Sequence, residues 1–220
     1  MKAVILEDDP LVVRTITTIL EGIGVSCKVA TTASQFMPLL VQAVADSTSK
    51  PGREVPTFAL LDVFVEGGGG LPIFEQIREQ FPFIPVVFCS GLADVSLAVA
   101  QLKNGAMDFL QKPFRSGELI DAAQAALNQF EINYTRYLAV ENACEMWDGL
   151  TVRERELIPL LLGAESTRKI AGLMNISPRT VEAHRANVMQ KLGAESLIDL
   201  SSFWGLLNDS PRFSTVLNLA

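Results

Sequence analysis

Phe58-Ala59-Leu60-Leu61-Asp62 is a short apolar run closed by a carboxylate. A run of this length without polar alternation predicts a strand buried on both faces, the condition of a parallel sheet. Ligands of open α/β sheets bind beyond the carboxyl ends of the strands, and Asp62 stands at such an end. Three further runs close in the same manner. Ala3 to Leu6 leads into Glu7-Asp8-Asp9, Pro85 to Cys89 into Ser90, and Phe109 to Gln111 into Lys112-Pro113. The predicted sheet edge thus gathers carboxylates, a hydroxyl and an ammonium. Carboxylates at close quarters repel unless a cation lies between them, and a hard oxygen set suits Mg²⁺. A lysine neutralises a transferring phosphoryl group, and a hydroxyl hydrogen-bonds it. The chemistry implied is phosphorylation of Asp62.

Glu7-Asp8, Asp62, Ser90-Gly91, Phe109 and Lys112-Pro113 resemble, in order, spacing and strand-end placement, the signature of a two-component receiver domain. The resemblance implies a doubly wound, flavodoxin-like (CheY-like) α/β fold. It also implies that Asp62 accepts phosphoryl, and that Glu7, Asp8, Asp62 and the Phe64 main-chain carbonyl hold Mg²⁺. Ser90 and Lys112 would contact the phosphoryl oxygens, and Phe109 would be the aromatic switch residue. One departure stands out. Glu66 occupies a position where the family usually has proline, and Gly67 to Gly70 follow. Glycines let backbone amides approach a phosphoryl group but cost order, so flexibility is expected there. The apolar Phe64 side chain, where many receivers are polar, is expected to affect phosphoryl lifetime.

Around these strands the pattern predicts helices. Asp9-Pro10 caps one from Leu11 to about Gly22, with Leu11, Ile16, Ile19 and Leu20 toward the sheet. A strand from Ser26 to Ala30 precedes a helix starting at Ser34, built around Phe36, Leu39, Leu40 and Val44. Residues 46–56 form a polar loop longer than the resemblance requires. Helices follow over Leu71 to Gln80 and Val95 to Asn104, the latter stopped by Gly105. A fifth begins at Ser116, with Leu119, Ile120, Ala123, Ala126, Leu127 and Phe130 on one stripe. Residues 131–148 carry Ile132, Tyr134, Tyr137, Leu138, Val140 and Met146 at roughly helical intervals. They read as a helical linker able to pair with a partner, or as a plain hinge.

A second domain opens at Gly149. Thr151-Val-Arg-Glu154 is a capping box before Leu157, Ile158, Leu161 and Leu162. Ser166 or Thr167 starts a short helix to Met174, Asn175-Ile176 turns, and Ser177-Pro178 caps a helix to about Leu192: a helix-turn-helix. From Leu150-Thr-Val-Arg-Glu to Met189-Gln-Lys-Leu-Gly193 the stretch resembles a LuxR-type DNA-binding domain of the FixJ type. In the recognition helix, Arg179, Arg185 and Lys191 are candidates for phosphate contacts, as is Lys169 on the preceding helix. Thr180, His184 and Asn187 offer neutral hydrogen bonds. Glu182 can accept from a cytosine amino group, and Ala183 can touch a thymine methyl. Val181 and Val188 face the core. A last helix, Ser196 to Leu207, spaces Leu197, Leu200, Phe203 and Trp204, and related domains dimerise through it; Trp204 reads equally as core. The tail from Asn208 has an apolar end expected to dock.

Net charge −7 is unevenly divided: residues 1–130 carry −5, 131–148 carry −3 and 149–220 carry +1. Phosphate-directed charge is therefore local. Of 220 residues, 49% are apolar and 20% charged, a globular balance. No apolar run spans a membrane, and the N-terminus is not that of a signal peptide. Cys27, Cys89 and Cys144 read as buried free thiols of a reducing cytoplasm. His184 is the only histidine, which excludes a multi-histidine metal site.

The whole reads as a cytoplasmic bacterial response regulator of the NarL/FixJ family and not an enzyme. Its expected segments are a receiver (1–130), a helical linker (131–148), an all-α LuxR-type domain (149–208) and a tail (209–220). Expected partners are a sensor histidine kinase, promoter DNA, a second copy on activation, and RNA polymerase. An alternative is a regulator with a degenerate receiver, controlled by partner binding and not by phosphorylation. A stand-alone hydrolase using an Asp–Mg²⁺–Lys pocket is a third reading, which the helix-turn-helix opposes.

Overall fold

The computed structural model describes residues 1–45, 55–65, 68–91, 100–210 and 213. The expected loop tip (46–54), Glu66, Gly67, the start of the fourth predicted helix and most of the tail lie outside these. The chain divides into two compact units, Met1–Thr135 and Arg136–Ala220.

In the first unit, β1 (Lys2–Leu6), β2 (Ser26–Ala30), β3 (Thr57–Asp62), β4 (Val86–Ser90) and β5 (Asp108–Gln111) form one sheet. Its order is β2-β1-β3-β4-β5, with all neighbours parallel. Helices α1 (Pro10–Gly22), α2 (Ala33–Ala45), α3 (Gly70–Gln80) and the first part of α4 (Ser116–Asp148) accompany it. All six residues of β3 are buried, so its apolar run is explained by cover on both faces. Ile16 and Leu20 of α1 pack with Ile5, Leu60 and Val87 in one core, which α4 completes with Leu119, Ala122, Ala123, Ala126 and Leu127.

Helix boundaries follow local chemistry. The Asp9 carboxylate accepts from the amides of Leu11, at 2.8 Å, and Val12, with Pro10 in the first turn. Leu11 is a correction: it is 74% exposed and does not face the sheet. It sits in the first turn of α1, just after the end of β1, and the buried residues of the helix, Ile16 and Leu20, come later. On α4 the buried stripe runs through Ala122, while Ile120 is only half-buried. Small residues there let the helix lie close to the strands. Gly105 takes positive φ and donates to the Leu102 carbonyl, the expected stop.

The second unit is helical: the end of α4, then α5 (Val152–Leu162), α6 (Thr167–Met174), α7 (Pro178–Lys191) and α8 (Leu197–Asp209). Its core joins Leu157, Ile158, Ile170, Val181, Val188 and Leu200. Residues 136–148 are more than a linker. Ala143 and Cys144 are buried in that core, and Trp147 packs against Trp204 and Phe213 at 5.7 and 5.6 Å. Arg155 lies over the Trp147 ring and donates to the carbonyls of Trp147 and Asp148 at 3.1 Å each. It thereby satisfies acceptors that a helix end leaves open. Ile132 and Leu138, by contrast, are exposed.

Ser166, Ser177 and Ser196 cap α6, α7 and α8, and Asn175 closes α6 in the left-handed conformation. The capping box of α5 does more than its motif predicts. One oxygen of buried Glu154 accepts from the Thr151 amide (2.8 Å), the Thr151 hydroxyl (2.9 Å) and the Lys191 ammonium (2.7 Å). These bonds, Lys191 foremost, hold the Glu154 carboxyl down at about 2, against an ordinary 4.5.

Cys89 and Cys144 are buried as expected, but Cys27 is only half-buried, on edge strand β2. Burial, aided by the charge of Glu21, pushes the Cys27 thiol up to about 11.

Because Glu154 is depressed on folding, its contribution is complete above about pH 4.5 and is lost as pH falls toward 2. Glu154→Gln is expected to destabilise the second unit by about 1–2 kcal/mol at pH 7. The deficit relative to wild type should shrink through that acid window. Both tryptophans, Trp147 and Trp204, lie in this unit, so fluorescence of the full chain during urea unfolding reads it. A deficit independent of pH would refute the charge assignment.

Candidate functional site

The parallel register brings four strand ends to one edge. Leu6 pairs with Leu61, Asp62 with Cys89, and Ser90 with Gln111, so Glu7-Asp8, Asp62, Ser90 and Lys112 follow one another across the sheet. The Lys112 ammonium donates to Asp62 Oδ2 at 2.6 Å and to Glu7 Oε2 in a still shorter contact. The other Asp62 oxygen accepts from the Phe64 amide at 3.0 Å, and the other Glu7 oxygen from the Asp9 amide at 3.3 Å. Glu7 and Asp62 are buried and Asp8 is exposed, with one carboxylate oxygen of each mutually within 4.8 Å.

The electrostatics follow from burial. Burial pushes the Glu7 carboxyl above its ordinary value, the charge of Asp62 adds to this, and Lys112 opposes it. Burial likewise works against the Lys112 charge, but its bonds to Asp62 and Glu7 outweigh that and leave it raised. One ammonium against three carboxylates leaves excess negative charge. The donor set fits a hard cation: Glu7, Asp8 and Asp62 present oxygen only.

Ser90 is fully buried at the end of β4, and Phe109 is half-buried on β5 beside Phe88. The Phe64 side chain is 56% exposed, next to its amide's bond to Asp62. Two of the glycines after it, Gly69 and Gly70, are closely seated. Gly69 has positive φ, and a Cβ there would collide with the Val63 carbonyl oxygen. A Cβ on Gly70 would lie 2.5 Å from the Asp62 carbonyl oxygen. Both are required by close approach of two backbone segments.

In the second unit, α6 and α7 form the helix-turn-helix. Val181 and Val188 are buried, as predicted, which turns Arg179, Glu182, Ala183 and Asn187 to the exposed face. His184, Arg185 and Thr180 are half-buried, and Thr180 lies 2.8 Å from the Ser177 hydroxyl. Two expected phosphate contacts have other partners. Lys191 is bonded to Glu154, and Lys169 to Glu165 at 2.6 Å. The charge of Lys191 is matched by a buried carboxylate 37 residues earlier in the chain, a distance no local motif exposes. Among the described residues, Arg179 and Arg185 form no ion pair.

Residues 3–124 match the family model described as "Response regulator receiver domain". The chain belongs to the response-regulator family. Residues 148–203 of the regulator match a second model, "Bacterial regulatory proteins, luxR family". "Response regulator protein TodT" of Pseudomonas putida is 31% identical, over 94% of this chain and 86% of its own. "Transcriptional regulatory protein FixJ" of Bradyrhizobium diazoefficiens is 35% identical, over 67% and 74%. Among solved structures, that of the response regulator StyR superposes with a TM-score of 0.66 at 26% identity, covering 93% of this chain and 98% of its own. The regulator thus joins a CheY-like receiver to a LuxR-type DNA-binding domain, as the sequence resemblance implied. No helix among the described residues is long and apolar enough to cross a membrane.

Sequence reasoning missed the double engagement of Lys112, the Glu154–Lys191 pair and the seating of Gly69 and Gly70. The first was foreshadowed by charge count alone. Because Lys112 occupies two of the three carboxylates, Lys112→Met should raise the affinity of the regulator for Mn²⁺ by at least about tenfold. Electron paramagnetic resonance of free Mn²⁺ measures this. Unchanged or weaker binding would mean that the ammonium does not compete for these oxygens.

Proposed function

We propose that a sensor histidine kinase phosphorylates Asp62 and that this controls promoter binding by the LuxR-type domain. The observation that carries the reading is the meeting of Asp62 with Lys112 and Glu7 at the sheet edge, in a chain that also holds a helix-turn-helix. Glu7, Asp8, Asp62 and the Phe64 carbonyl would hold Mg²⁺, which when bound offsets the charge of a phosphoryl group. The Asp62 carboxylate supplies the attacking oxygen. Lys112 neutralises the phosphoryl oxygens, Ser90 hydrogen-bonds them, and Phe109 responds by changing its burial.

The effector side of the proposal rests on the exposed face of α7. Arg179 and Arg185 meet phosphate, Thr180, His184 and Asn187 supply neutral hydrogen bonds, and Ala183 and Glu182 read base edges. Lys169 and Lys191 would act only after releasing their carboxylate partners. Phosphorylation shifts a population toward a homodimer that sets two recognition helices on half-sites about one helical turn apart, where RNA polymerase is engaged. The segments are a receiver over 1–130, a helical connection over 131–148 and the DNA-binding domain over 149–208. The partner-controlled alternative drew on Glu66 and the glycines. Gly69 and Gly70 have a packing reason, which removes part of its motive.

With Mg²⁺ and acetyl phosphate, wild type should incorporate phosphoryl and Asp62→Asn should not, while both unfold alike in urea. Beryllofluoride should convert monomer to dimer by light scattering in wild type only. Labelling that persists in Asp62→Asn would sink the assignment. On a bound duplex, Arg179→Ala should weaken affinity at all sequences and flatten the dependence of log K on log salt by about one unit.

A further inference from the structure

The exposed carboxylate of Glu182 is tied across the helix-turn-helix. The Thr167 hydroxyl, at the first position of α6, donates to Glu182 Oε1 at 2.7 Å. Arg179 and Arg185 lie three residues to either side on α7, yet among the described residues Glu182 forms no ion pair. A neutral hydroxyl, and not a guanidinium, fixes the carboxylate. Its charge is therefore not taken up by an ion pair, on the face that the burial of Val181 and Val188 turns outward.

An anion on a DNA-facing helix is repelled by every phosphate, so it weakens non-specific binding. The cost is offset where the carboxylate accepts from an exocyclic amino group in the major groove, and cytosine N4 is the donor suited to a carboxylate. Acceptance in one direction requires one rotamer. Glutamate has three side-chain torsions to fix, and with Oε1 held by Thr167 the lone pairs of Oε2 point in a set direction.

We infer that Thr167 is a positioning residue for base recognition: it orients Glu182 to select a cytosine and to reject thymine at one place in each half-site. The inference rests on the DNA-binding reading of α7 and extends it to a residue outside that helix. Thr167→Val keeps the shape and removes the donor, while Thr167→Ser keeps the donor.

The test is selection of duplexes from a random pool by the full chain with beryllofluoride, followed by titration of the selected duplex and its cytosine-to-thymine variant. Wild type and Thr167→Ser should prefer the cytosine by about tenfold or more, a typical cost of one wrong base pair. Thr167→Val should cut that preference to about threefold or less while leaving discrimination at the other positions unchanged. Glu182→Gln should lose the preference and gain affinity for unselected duplex. Equal preference in wild type and Thr167→Val would overturn the inference. So would a uniform loss of affinity across sequences, which marks a purely structural contact. If wild type enriches no sequence at all, the DNA-binding reading fails, and the inference with it.

Discussion

A single ammonium lies between two buried carboxylates at the edge of the sheet. Lys112 closes β5 toward β1 and β3 at once, so three strands meet through one charge. Removing that charge would leave Glu7 and Asp62 facing each other with little water between them. The edge stands because the parallel register delivers its residues together, and the register stands because β3 is apolar through its length. Charge, register and hydrophobic cover are thus one constraint seen at three scales. Any group that takes over the bonds of Lys112 also takes over the hold on that edge, and this makes the edge a place where local chemistry can be felt by β5 and Phe109.

The second unit repeats the device in a different setting. Glu154 begins α5 and Lys191 ends the recognition helix, so one bond joins the start of the domain's first helix to the finish of its third. Arg155, next in sequence, holds the end of α4 by its carbonyls and its indole. Two adjacent residues of α5 therefore orient elements on both sides of it. The apolar core alone would hold these helices together, but it is non-directional and would fix their angles less tightly.

Much of this was legible in the sequence. Strand ends could be read because apolar runs stop at charged residues, and caps because Asp9, Thr151 and Ser177 each precede a helix with the right spacing. The fold and the cluster of Glu7, Asp62 and Lys112 follow from those signals. What escaped was whatever depended on a partner distant in the chain. Leu11 looked like core because periodicity does not say where a sheet ends. The partner of Lys191 was out of sight because Glu154 is 37 residues away. The close approach at Gly69 and Gly70 was out of sight because the carbonyls they pass, Val63 and Asp62, come near only once the turn is built.

The cysteines carry a practical corollary. Cys89 sits in the core on β4, paired across the sheet with Asp62, and burial, opposed by the charge of Lys112, pushes its thiol far above the ordinary range. Cys144 is sealed in the other core, and Cys27 remains a protonated, half-covered thiol at neutral pH. Thiolates, not thiols, react with alkylating and oxidising agents. A chain with three native sulfhydryls should thus behave toward a maleimide almost as though it had none. A cysteine introduced on the surface becomes a selective anchor for a fluorophore or spin label without stripping the background.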